Sequence, residues 1–190
     1  MTDVVDLAER ALHELAETVA LIGPGQWNSP TPCELWTVQE LLEHVVAVNR
    51  KYQGIAGGDD WLPGVEDVDL GADPARTYRD TIRPFLTAWR EPGARERQIR
   101  TQGEQFVPAD VVLSAHLRET LVHGWDLAVA IGRSAPFDDE VVRACLDRVA
   151  GTPGIRPAGI GYADATPAAS DAAPIVRLAA FFGRDTSAWG

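Results

Sequence analysis

The sequence predicts an all-α protein, a helical bundle, on three observations. Four long stretches carry apolar residues at helical spacing, glycines and prolines punctuate them, and period-two alternation is confined to one short segment. Helices with one apolar stripe each bury it by packing on one another.

The first helix covers residues 3–22: Val4, Leu7, Ala8, Ala11, Leu12, Leu15, Val19 and Leu21 keep the period, and Gly23-Pro24-Gly25 stops it. Trp27 to Trp36, with Pro30, Pro32 and Cys33, is a loop that its two tryptophans should anchor to the body. Thr37-Val38-Gln39-Glu40 has the form of a capping box, so a second helix runs from Val38 to about Ile55 and ends at Gly57-Gly58. Residues 57–72 are acidic, Gly-rich and aperiodic, and read as a loop.

Asp73 caps the third helix and Pro74 occupies its first turn. Its stripe is Tyr78, Ile82, Phe85, Leu86 and Trp89; Pro84 inside it predicts a kink or a break, and Pro92-Gly93 closes it. The alternation at Arg97, Ile99 and Thr101 suits a short extended piece within 94–107. A fourth helix spans 109–131 with Gly132 as its stop, and a fifth begins at Asp138-Asp139-Glu140 and reaches Ala150. Gly151 to Ala173 is rich in Pro, Gly and Ala and should wrap a surface, with a short strand at Ile160–Ala163. The last helix, Ala173–Gly183, has Ile175, Leu178, Ala179 and Phe182 on one side. We expect one domain, with residues 1–150 as the bundle and 151–190 as a C-terminal extension packed on it.

Composition excludes several functions. A net charge of −11 argues against nucleic acid and anionic lipid as partners. Two distant cysteines, Cys33 and Cys145, make no disulfide framework and fit a reducing cytosol. The acidic start lacks the pattern of a signal peptide, and no apolar run is long enough to span a bilayer, so the expectation is a cytoplasmic protein.

The fourth helix carries the chemistry. Its stripe runs Val112, Ala115, Glu119, Val122, His123, Leu127, Ala130, so a carboxylate and an imidazole interrupt a core-facing row. A charge there is costly unless paired, protonated or bound to a cation. Residues four apart share one side of a helix, and His44 lies beside the stripe Leu41, Leu42, Val45, Val48 of the second helix. His44, Glu119 and His123 thus make a candidate divalent-metal site with positions left for water or substrate. Zinc suits this set first, with nickel, iron or manganese as alternatives. The competing reading makes both histidines satisfied core residues and pairs Glu119 with Arg118.

Nearby residues extend the site. Gly124, costing about 1 kcal/mol relative to Ala inside a helix, lets a partner helix or ligand approach His123. Asp126 is placed to orient a ring nitrogen of His123, or else is a surface charge. Trp36 and Trp125 line a pocket above the metal or fill the core. His116 reads as a helix-edge polar residue rather than a further ligand, His13 as a surface residue, and Cys33 as a buried structural thiol. Tyr52 is a candidate proton donor; Arg79 and Arg83 are candidate anion partners or solvated charges.

Two segments resemble a known family. Pro30-Thr31-Pro32-Cys33-Glu34-Leu35-Trp36-Thr37-Val38 with Leu41-Leu42-Glu43-His44, and Glu119-Thr120-Leu121-Val122-His123-Gly124-Trp125-Asp126-Leu127-Ala128, resemble the ligand motifs of mycothiol-dependent maleylpyruvate isomerases. That family lies within the DinB/YfiT-like metalloprotein superfamily. The ending Gly183-Arg184-Asp185 with Trp189 is similar to an actinobacterial branch of it. The resemblance implies an up-down, DinB-like four-helix bundle with short additional C-terminal helices, and a metal held by His44, Glu119 and His123. It implies a small-molecule thiol as co-substrate and an electrophile as its partner, in a transferase or isomerase reaction. The chain is shorter than isomerases with a separate C-terminal domain, and 151–190 supplies only Arg156, Arg177 and Arg184 as anchors for a dicarboxylate. A non-catalytic metal-binding or ligand-sensing bundle is the alternative, and a homodimer through exposed helix faces is left open.

Overall fold

The computed structural model describes residues 2–34, 36–101, 104–150 and 163–189. The elements are α1 (Val4–Ala20), α2 (Val38–Gly57), α3 (Pro74–Arg90), β1 (Gln98–Arg100), β2 (Phe106–Pro108), α4 (Ala109–Ala130), α5 (Asp139–Ala150) and α6 (Pro174–Phe181). The fold is all-α, as expected, apart from an antiparallel pair of three-residue strands in which Ile99 lies opposite Val107.

Local chemistry accounts for the boundaries. Asp3 accepts from Val5 N at the start of α1, and the Thr37–Glu40 capping box forms in full at the start of α2. Asp73 caps α3, which continues through Pro84 rather than breaking. The strand expected at 160–163 falls, except for Ala163, outside the described residues.

Helices α1 and α2 each pack on both α3 and α4, so α1 and α2 sit on a diagonal of the bundle. The connection between them must therefore cross an end of the bundle. It is tied to the start of α2 by Val38 N donating to Ser29 O and Gln39 N to Trp27 O, each at 3.0 Å. Helices α5 and α6 and the strand pair cover the remaining faces of α4. No helix among the described residues is long and apolar enough to cross a membrane.

The position of α4 corrects two sequence readings. With neighbours all round, it buries residues off its stripe as well as on it, including His116, Arg118 and Asp126. His116 is therefore no helix-edge residue. It is fully buried, stacks on Phe85 with ring centroids 4.2 Å apart, and shares a 2.9 Å hydrogen bond with Asn49 Oδ1. Asn49 Nδ2 in turn donates to Thr81 Oγ1 at 2.8 Å.

Burial pushes the pKa of His116 down to about 3, against the pull of the Glu119 charge. Between that value and the ordinary one near 6.5, the unfolded chain takes up a proton that the folded chain refuses. Stability is thus complete above pH 6.5 and falls as pH drops toward 3, by roughly 4 kcal/mol from this residue. Urea titrations across that range should show a shallower acid slope for His116→Gln than for the native chain. Equal slopes would mean the ring is protonated in the folded protein.

Gly124 serves packing rather than access to His123. A Cβ there would stand 2.3 Å from the Phe137 ring and 3.3 Å from Leu15 Cδ1, so the neighbours are α1 and the approach to α5. Gly124→Ala gains about 1 kcal/mol of helix propensity but overpacks a full interior, a cost of about 1–3 kcal/mol. A lower denaturant midpoint is expected; a raised one would show that Phe137 moves aside freely.

Candidate metal centre

The fold brings His44, Glu119 and His123 together from the neighbouring helices α2 and α4. One ligand atom from each lies within 4.8 Å of the other two. Glu119 Oε2 is 3.2 Å from His123 Nε2 and 3.7 Å from His44 Nε2. The two imidazoles stand nearly perpendicular at 83°, centroids 5.2 Å apart. The trio is sealed on one side only: side-chain exposure is 2% for His123 but 18% for His44 and 15% for Glu119.

The set fits a divalent ion. Ligands at 2.0–2.1 Å in a tetrahedron lie about 3.4 Å from one another, which the two carboxylate–imidazole separations bracket. The ring of His123 is also aimed for the task, since its Nδ1 is 3.0 Å from Asp126 Oδ2 and its Nε2 is left facing Glu119. Fixing one ring nitrogen so that the other presents to a metal is the usual device at histidine ligands.

Electrostatics follow the same geometry. Burial disfavours ionised Glu119, yet the close imidazoles of His123 and His44 outweigh this and hold it well below the usual carboxylate range. Burial lowers the pKa of His44, only partly opposed by Glu119, which favours the neutral imidazole a metal needs. For His123, burial is overcome by its bonds to Asp126 and Glu119, and the pKa rises.

Asp126 is not a surface charge. It is fully buried and accepts from Arg184 Nε at 3.0 Å and Nη2 at 2.7 Å. Arg184 is consequently no free anchor for a dicarboxylate. Gly183, at φ 87° and with Ala163 main-chain atoms 2.7 Å from where a Cβ would stand, turns the chain after α6 so that Arg184 can reach inward. Sequence reading missed this pairing; an arginine beside a glycine that ends an apolar helix was the available signal.

The other candidates divide. Trp36 stacks on His44 at 4.4 Å and meets His123 edge-on at 5.9 Å, so it roofs the centre, whereas Trp125 belongs to the buried core. Cys33 is buried, and its Sγ lies within 4.8 Å of ligand atoms of His123 and Asp126. Tyr52 packs against His116 and Trp61, and burial raises its pKa far above that of a ready proton donor. Arg79, Arg83 and His13 line a separate groove between α1 and α3, two helices that do not carry the centre. Arg177 is exposed, and Arg156 lies outside the described residues.

Comparison with known proteins gives a consistent picture. The family model for the mycothiol maleylpyruvate isomerase N-terminal domain matches residues 8–128. Uncharacterized proteins from two strains of Mycobacterium tuberculosis, CDC 1551 / Oshkosh and H37Rv, are each 32% identical over 179 residues, 93% of this chain and 94% of theirs. The crystal structure of the mycothiol-dependent maleylpyruvate isomerase is similar with a TM-score of 0.54 at 19% identity, covering 74% of this chain and 65% of that one. A histidine-to-alanine mutant of that isomerase gives 0.53 at 17% with the same coverage. These likenesses show the fold, and the match spans about two thirds of the isomerase chain.

Proposed function

Because the chain belongs to the mycothiol maleylpyruvate isomerase N-terminal domain family, we propose that it is a thiol-dependent enzyme holding one divalent ion on His44, Glu119 and His123. The observation that carries this is the convergence of two imidazoles and one buried carboxylate at a half-open face between α2 and α4. Zinc suits the donor set best, with nickel, iron and manganese as alternatives. The ion, when bound, supplies Lewis acidity and favours the ionised form of a coordinated thiol.

The chain's own residues do the rest. Asp126, itself neutralised by Arg184, fixes the orientation of His123. Trp36 keeps water off the ring of His44 on one side, leaving the other side of the trio for a small thiol and an electrophilic partner. The reaction is of the transferase or isomerase type.

Elemental analysis of protein purified without an affinity tag, beside His123→Ala, tests the reading. About one divalent ion per chain, lost in the variant, is expected. No ion in either protein after incubation with zinc would return the three residues to the role of a buried ion-paired cluster.

A further inference from the structure

A cleft of about 500 Å3 lies between α2 and residues 59–68. Its lining begins at Ala47, one turn beyond His44, and extends through Lys51. With a rise of 1.5 Å per residue, that wall, which ends at Ile55, lies roughly 4–16 Å along the helix from His44. Ala47, Lys51 and Ile55 continue the face of α2 that carries His44, and the Lys51 charge acts on both His44 and Glu119, so a ligand in the cleft points its near end toward the metal centre. Lys51 ties the outer wall to α2, its Nζ donating to Gly64 O at 2.7 Å and to the Leu62 carbonyl.

The charges around this cleft oppose an anionic ligand. Lys51 is engaged by those two carbonyls, and Arg97 Nη1 donates to Ala56 O at 2.6 Å. Arg100 pairs with Asp60, Arg118 with Glu119 and Arg184 with Asp126. Of the two cations lining the cleft, Lys51 keeps its charge but turns its hydrogen bonds to those carbonyls, and Arg50 is exposed. Against them stand Asp59, Glu66 and Asp67, exposed on the outer wall and in no ion pair among the described residues. Leu62 and Val65, 48% and 39% exposed, give the same wall an apolar surface. A dianion in the cleft would face three carboxylates against two cations, one of them a Lys51 ammonium whose hydrogen bonds are already taken by carbonyls.

Resting on the thiol-and-metal reading above, we propose that this cleft receives the second substrate, and that this substrate is an uncharged or cationic electrophile with an apolar body, not a dicarboxylate. The solved structure of similar fold is named for maleylpyruvate, a dicarboxylate, so on this proposal the fold is common to the two and the selectivity is not.

Cobalt-loaded protein tests the assignment with three thiols of equal chain length: mercaptohexanol, aminohexanethiol and mercaptohexanoate. Each presents the same thiol to the metal and places a neutral, cationic or anionic tail along the cleft. Thiolate-to-cobalt absorption reads binding, at about 0.15 M salt to screen the distant charges of the chain. Mercaptohexanol and aminohexanethiol should half-saturate at concentrations about tenfold or more below mercaptohexanoate. In the Asp59→Asn/Glu66→Gln/Asp67→Asn protein, which alters exposed side chains alone, the gap should close to about twofold. Equal or tighter binding of mercaptohexanoate, or a gap unchanged in the triple variant, overturns the charge assignment and leaves the metal centre standing. Failure of cobalt to develop any visible absorption removes the centre itself, and the assignment with it.

Discussion

Asp126→Ala is expected to lower the stability of the protein by about 3–5 kcal/mol, the scale for breaking a buried ion pair from one side. The Asp126 carboxylate is completely buried and accepts two hydrogen bonds from Arg184, whose side chain is 4% exposed. Its removal takes from a buried guanidinium the carboxylate that accepts two of its hydrogen bonds. The same variant frees His123 Nδ1, so metal affinity should fall by about 10–100-fold. Chemical denaturation in the presence of a chelator isolates the first effect, and zinc titration the second. An Asp126→Ala/Arg184→Met protein should recover much of the lost stability but none of the affinity. A single variant within about 1 kcal/mol of the native chain would show that Arg184 finds other partners at no cost.

Removing the metal should be the second large perturbation. An ion that binds only the folded chain adds about 4 kcal/mol when its free concentration is a thousand times the dissociation constant. For a chain of this size that corresponds to a rise in Tm of roughly 10 °C. Native protein should show this shift between chelator and zinc, and Glu119→Ala should not, since the Glu119 carboxylate is the group that lies between the two imidazoles, 3.2 Å from His123 and 3.7 Å from His44. A zinc-induced shift that survives Glu119→Ala would place the ion elsewhere.

Helix α1 and the capping box of α2 were legible in the sequence because each depends on residues close along the chain. So was the Glu119–His123 pair, whose four-residue spacing puts both on one side of α4. The periodicity of α4 misled in a specific way. A stripe distinguishes inside from outside only where a helix has a solvent face, and α4 has almost none. His116, off the stripe, therefore looked peripheral, and Asp126 kept a surface role as its alternative; both are among the most deeply buried residues of α4. Gly124 likewise pointed to a close approach without saying of what, and Phe137 is the answer.

By itself the sequence determined the helices, the caps of α2 and α3 and the donor types of the candidate centre, because these follow from propensity, spacing and residue type. Only the tertiary structure decided which groups meet. It set His44 against residues 75 and 79 positions away, closed Trp36 over it, and brought Arg184 58 positions back to Asp126. The physical reason is that such contacts depend on how helices are ordered around the bundle, here with α1 and α2 on a diagonal. Several helix orders bury the same stripes equally well, and stripes alone do not choose among them.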